Sequence, residues 1–245
     1  MPMLGQTADS GSSGGRAIWV AGADGCLSGW VVMLIKVDRQ VSTGVRVCAC
    51  KRFNEILALS PRPTVIAVDI PIGLLDSPRR GGRVCDQQAR RVLGPRRSSV
   101  FSPPARDQWN TARGMSRQTV GIRPKILEVD HVMTPPLQQL IYEGHPELAF
   151  AALRGRPMQF NKKTKRGRSE RLRTLERHTK GLFRGISRRL LQVLAISSRR
   201  QLAADDLIDA AVLAWTARRI YAKTAGRLPK EPTVDQKGLR MEIWY

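Results

Sequence analysis

The sequence predicts an α/β fold, a sheet opened by a hairpin and flanked by helices. Two observations carry that prediction. Apolar or alternating runs within the first 70 residues read in the order β-β-β-α-β, and segments of helical spacing dominate the second half of the chain.

The run "AIWVAGAD" (residues 17 to 24) is a buried strand that ends in an acid, "DGCLSG" is a turn, and "WVVMLIKV" returns as the second strand of a hairpin. "GVRVCACKRF" alternates well enough for a third strand. "NEILAL" predicts a short helix with Asn54 as its N-cap, and "TVIAVD" a short apolar strand inside a sheet. Further on, "CDQQARRVLG" predicts a helix closed by Gly94, "PRRSSVFSPPARD" a Pro/Ser-rich loop, "PKILEVDHVM" a helix and "LIYEG" a fifth strand. After "ELAFAALRG", the stretch "NKKTKRGRSER" reads as a basic, mobile loop running into a helix. "GISRRLLQVLAIS" and "LAADDLIDAAVLAWTARRIYAK" predict two closing helices.

A chain of 245 residues can bury a sizeable core. The expected organisation is a Gly/Ser-rich disordered tail over residues 1–16 and one domain over 17–245. That domain carries an inserted loop and helix region around 75–140 and a basic segment over 156–180. No internal repeat is visible, and no Gly-rich phosphate loop of the GxGxxG or GxxxxGK[ST] type. Cys26, Cys48, Cys50 and Cys85 form neither a CxxC pair nor a zinc-spaced cluster and are expected to be reduced and packed as small hydrophobes. No run approaches the ~18 apolar residues of a membrane span, and the N-terminus has no signal-peptide core, so a cytoplasmic location is expected.

The charge balance is unusual: 42 Lys+Arg against 20 Asp+Glu leave +22. Such an excess implies a polyanionic partner, and nucleic acid is the commonest one. An Arg-rich composition raises the same total, so charge alone leaves a solvated basic surface open.

Acids are scarce, and their placement inside apolar segments is therefore informative. An ionised carboxylate among buried side chains needs a cation or hydrogen-bond donors to offset its desolvation. Asp24, Asp69, Asp206 and Asp209 meet that description. Each has an ordinary reading as well: Asp24 opens an Asp-Gly turn, Asp69 caps the turn after its strand, and Asp205 caps a helix whose next acids complement its dipole. The joint reading is a single site in which several carboxylates bind divalent metal. Mg2+ takes oxygen ligands, and two such ions about 4 Å apart activate a water and stabilise the leaving oxygen in phosphodiester cleavage.

A first strand ending in an acid and feeding a hairpin, a fourth ending in a second acid, and a late helix with D-x-x-D-A resemble the ribonuclease H-like superfamily, most closely its Holliday-junction resolvase branch. The whole chain is similar to a narrower group, the domain-of-unknown-function 429 family of predicted ribonuclease H-like nucleases. The matching phrases are "GADGCLSGWVV", "AVDIPIGL", "CDQQARRVLGPRRSSVF", "HPELAF", "KKTKRGRSER", "DDLIDA" and "GLRMEIWY", over about residues 17 to 245. The resemblance implies a mixed sheet, three antiparallel strands then parallel ones, flanked by helices. It also implies a nuclease dependent on Mg2+ or Mn2+, with Asp24, Asp69 and Asp206 or Asp209 at the metal.

Glu147 in "GHPE" is a further catalytic candidate and equally an ordinary helix start after Pro146; His145 is a candidate proton shuttle. Arg96, Arg97, Ser98 and Ser99 are candidate phosphate contacts, as are Lys162, Lys163, Lys165, Arg166 and Arg168. Trp30, Trp109 and Trp215 are expected in the core rather than as base-stacking platforms. The turn "IPIGLL" after Asp69 is expected to be rigid, with Pro71 fixing φ and Gly73 taking unusual dihedrals, forming one wall of the site. Two alternatives stand beside the nuclease: a non-catalytic nucleic-acid-binding protein of the same fold, and a relative of the actin-like phosphotransferases and ATPases. The latter share the strand-acid-hairpin opening but need two such domains.

Overall fold

The computed structural model describes residues 17–37, 44–109, 117–179, 181–186, 188 and 203–245. Its strands β1 (Ile18–Cys26), β2 (Gly29–Val37), β3 (Val45–Cys50), β4 (Val65–Val68) and β5 (Ile141–Glu143) form one sheet in the order β3-β2-β1-β4-β5. The first three are antiparallel neighbours, and β4 and β5 run parallel to β1. The expected α/β class and mixed sheet are both present. The α-helices among the described residues are α1 (Val84–Leu93), α2 (Arg117–Val132), α3 (Pro146–Arg154), α4 (Lys165–His178) and α5 (Ala204–Tyr221). A small antiparallel pair, β6 (Arg227–Leu228) and β7 (Ile243–Trp244), adjoins the β5 edge through a bridge between Gly144 and Trp244.

Alternation along the strands sorts their side chains onto two buried faces. Val20, Val31, Met33, Val65 and Ala67 pack with residues of α3 and α5 in one cluster. Trp19, Ala21, Ala23, Val32, Ile66 and Val68 pack in another with Phe53 and Ile56 of a 3-10 helix (Phe53–Ala58) and with Ile126 and Val129 of α2. Cover on both sides explains why β1, β2 and β4 read as near-continuous apolar runs. A third cluster joins Cys85, Ala89 and Leu93 of α1 to Leu148, Met241 and Ile243.

One glycine sets the distance between α5 and the sheet. A Cβ on Gly22 would lie 2.1 Å from both the carbonyl oxygen of Ala210 and the amide nitrogen of Ala214, so the helix backbone rests directly on β1. Ala210, Ala211, Ala214 and Ala217, all fully buried, keep the rest of that contact thin.

Several elements differ from expectation. "NEILAL" lies within a 3-10 helix preceded by Arg52, with Asn54 inside the turn instead of capping it. The start of the predicted Pro/Ser loop is also helical, within a 3-10 helix over Gly94–Ser99. The helix around "PKILEVDHVM" begins earlier and carries Pro124 inside it. The N-cap of α5 is Ala203, and it is Asp206, not Asp205, that accepts the amide of Ala203, at 3.2 Å. Most of "GISRRLLQVLAIS" and all of residues 1–16 lie outside the described residues. All four cysteines are free thiols, three of them buried. Trp30 and Trp109 are buried, and half-buried Trp215 is covered by Arg219 at 4.7 Å. Among the described residues no helix is long and apolar enough to cross a membrane.

Candidate metal centre

The parallel register of β1 and β4 creates the site. Ala23 lies opposite Val68, and the amide of Asp69 donates to the carbonyl of Ala23 at 3.0 Å. One residue further along each strand, Asp24 and Asp69 are neighbours at adjacent carboxyl ends, ~4.8 Å apart in backbone spacing. By alternation both fall on the face that Val20, Val65 and Ala67 share with α5. The contact at Gly22 then brings in the residue before Ala210, which is Asp209. Carboxylate oxygens of Asp24, Asp69 and Asp209 all lie within 4.8 Å of one another.

Such crowding perturbs every member. Burial pushes the carboxyl of Asp24 well above its ordinary range, and the charges of Asp69 and Asp209 push it further. Asp69 is raised by burial, against the pull of His145 and Lys162. Asp209 is pushed up to about 7 by burial although Lys162 draws it down. The Nζ of Lys162 donates to Asp209 Oδ2 at 2.6 Å, and Asp209, Asp69 and Asp24 together hold that ammonium above its usual value against the opposing effect of burial. Three carboxylates thus share one lysine.

The other buried acids show how differently this chain treats a structural carboxylate. Asp86 and Glu143 are paired with Arg83, Glu147 with Arg171 and Arg96, Asp235 with Arg106, and Glu242 with Arg227 and Arg240. Asp24 and Asp209 are buried and Asp69 is half-buried, and Lys162 is the one ion-pair partner of these three carboxylates among the described residues. An all-oxygen set with uncompensated charge suits Mg2+ or Mn2+.

The remaining candidates take other places. Asp206 is outside the group of three, because its carboxylate is turned to the amide of Ala203, though its charge still bears on Asp24. Glu147 is also outside it. In the first turn of α3, its Oε1 accepts from Arg171 and from Arg96, while its buried Oε2 has no partner among the described residues and its charge raises Asp69. His145 precedes that helix with Nε2 3.3 Å from the carbonyl of Ser99 and buried Nδ1 without a partner there; its charge lowers Asp69. Arg96 and Lys162 bring both predicted basic segments to the acids. Ser99 donates to the carbonyl of Arg96 at 2.8 Å, whereas Arg97, Ser98 and Lys163 are exposed and Arg168 is half-buried.

A family model described as "Protein of unknown function (DUF429)" matches residues 22–234. The chain belongs to this family. No curated protein matches it significantly. Among solved structures it is similar to RuvC of Thermus thermophilus, at 13% identity and a TM-score of 0.36, over 84% of this chain and 98% of that one.

Sequence reasoning missed what holds the site of this DUF429 chain in place. The loop after Asp69 is tied at every turn: the amide of Ile72 donates to Glu143 at 2.7 Å, the amide of Leu74 to Asp235 at 3.1 Å, and Arg83 Nη1 donates to the carbonyls of Ile72 and Gly73, each at 3.1 Å. Gly73 has φ of 76°, as the reading of "IPIGLL" expects, and a Cβ there would press on Met241 at 2.9 Å. Fully buried Arg83 also holds Asp86 and Glu143, so one guanidinium joins the loop, α1 and the end of β5. Arg79 and Arg80 precede it in "RRGGRVCD", and nothing in that stretch distinguishes the buried arginine.

Proposed function

We propose that the chain is a nuclease that hydrolyses phosphodiester bonds of nucleic acid at Asp24, Asp69 and Asp209, with Mg2+ or Mn2+ as cofactor and a ribonuclease H-like arrangement of its acids. The observation that carries this is the clustering of Asp24, Asp69 and Asp209 around one lysine, in a chain that otherwise pairs its buried acids with arginine. Bound there, a divalent ion supplies an acidified water and charge stabilisation for the phosphoryl oxygens. Asp24, Asp69 and Asp209 would hold it, from β1, the end of β4 and α5. Lys162 and Arg96 bind and orient the phosphate, and the +22 surface draws in the strand.

The test is cleavage of single-stranded, duplex, hybrid and branched substrates with and without Mg2+ or Mn2+, comparing wild type with Asp24→Asn and Asp69→Asn. Cleavage that needs metal and disappears in both variants is expected. Metal-dependent cleavage that survives both substitutions refutes the site.

The ion pair of Lys162 with Asp209 favours a second reading, in which a protein cation has taken the metal's place and the chain binds nucleic acid without cutting it. That reading predicts equal binding with and without metal, affinity that falls by ~10³ between about 50 and 200 mM salt, and no cleavage of any substrate.

A further inference from the structure

Phe160 is 38% exposed, whereas Phe53, Phe150 and Phe183 are fully buried. The guanidinium of Arg166 lies over its ring, 5.5 Å from the centroid. The segment that presents this ring is fixed from both sides. Glu170, itself held by Arg154, accepts the amides of Gln159 at 3.1 Å and Phe160 at 3.0 Å. The carbonyl of Phe160 accepts from Arg171 at 3.0 Å, and Arg171 in turn grips Glu147. Two residues later, at most ~7 Å of chain, stands Lys162 with its ammonium on Asp209. An exposed aromatic ring is therefore carried on a tethered backbone two residues before the lysine that pairs with Asp209, in a stretch that also carries Lys163, Lys165, Arg166 and Arg168.

An aromatic face backed by a guanidinium and surrounded by phosphate-binding cations has the chemistry of a nucleobase platform. In a duplex the faces of the bases are occupied by their neighbours, and only an unpaired or splayed base can lie on such a ring. We propose that Phe160, backed by Arg166, stacks an unpaired base of the strand whose phosphate reaches the metal centre, so that the favoured substrate is single-stranded beside the bond to be cut. The proposal rests on the nuclease reading and adds a substrate class to it.

The experiment measures binding by fluorescence anisotropy on the full chain in EDTA, where metal-dependent cleavage is suppressed. Four labelled probes of equal length are used: a single-stranded DNA, a single-stranded RNA, an abasic single strand and a duplex. Phe160→Ala is expected to weaken the base-bearing single strands roughly five- to hundredfold, the range for one lost stacking contact. It leaves the abasic strand and the duplex unchanged, because no charge is removed. Phe160→Trp is expected to retain affinity and to show indole quenching with base-bearing strands but not with the abasic one. The larger loss between DNA and RNA identifies the sugar. Unchanged binding in Phe160→Ala, or an equal loss on abasic and base-bearing strands with the fold intact by circular dichroism, overturns the platform and leaves the nuclease reading standing. Failure of the wild type to bind any probe, in EDTA and in Ca2+ alike, overturns both.

Discussion

Neutralising one acid of the centre separates its electrostatic cost from its use. In Asp24→Asn the amide keeps the size of the side chain and removes one of the three charges. Each of the two repulsions Asp24 makes, with Asp69 and Asp209, acts between oxygens no more than 4.8 Å apart. At an effective dielectric of ~20 that is at least ~3.5 kcal/mol per pair when both are ionised. Lys162 offsets part of this, and partial protonation of raised carboxyls removes more, leaving about 1–3 kcal/mol. A chain of this length shifts its Tm by ~2–4 °C per kcal/mol, so metal-free Asp24→Asn should melt about 2–12 °C above wild type at pH 9. The sign with pH follows from the raised carboxyls. Their folded values lie above their unfolded ones, so the ionised groups subtract stability, and wild type regains it as pH falls through the folded values. With Asp209 pushed up to about 7, the gap between variant and wild type should narrow below about pH 7. Added Mg2+ should raise the Tm of wild type and not that of the variant. A variant that melts below wild type at pH 9, and that Mg2+ still stabilises, refutes the reasoning.

Lys162→Met removes the ammonium that shares the centre with any metal, and calorimetric titration should show tighter Mg2+ binding while turnover on nucleic acid falls. Gly22→Ala places a methyl 2.1 Å from two backbone atoms of α5 and should cost ~1–3 kcal/mol or more, with loss of the Mg2+-dependent rise in Tm because Asp209 moves with the helix. Arg83→Met leaves Asp86 and Glu143 buried without their cation and should lower stability by ~3–5 kcal/mol in chemical denaturation; Arg83→Lys should not restore it, since one ammonium cannot replace the guanidinium fork on Ile72, Gly73, Asp86 and Glu143.

The sheet was legible because burial on both faces writes itself into β1, β2 and β4 as apolar runs, and the turn "DGCLSG" joins the hairpin locally. Asp24 and Asp69 stood out because each ends such a run, and parallel register then makes them neighbours. Asp206 and Asp209 could not be separated in the same way. Three residues apart on one helix, they share a face, and the choice between them depends on how α5 sits against Gly22 and on which acid turns back to Ala203. The helix start at Glu147 was legible from Pro146, but its two arginine partners come from Arg96 and Arg171, 51 and 24 residues away in the chain. Pairings of that range leave no periodic trace. The same holds for Arg83, which the sequence surrounds with other arginines and the fold buries completely.

The identity of the cation at the centre is itself informative. The structural carboxylates of this chain are held by arginines, whose planar forks fix two or more acceptors and have no easy alternative partner; Arg83 and Arg171 are each 1% exposed. The centre is served by a lysine instead. Lys162 is 36% exposed, lies on the stretch between α3 and α4, and makes a single hydrogen bond to Asp209 with a point charge on a flexible stem. Such a group can leave a carboxylate for an incoming phosphate without dismantling the fold, which a buried guanidinium cannot do. While no metal is bound it reduces the repulsion among Asp24, Asp69 and Asp209. In the proposed nuclease, a divalent ion compensating those acids would leave the same ammonium surplus to them and complementary to a nucleic-acid phosphate.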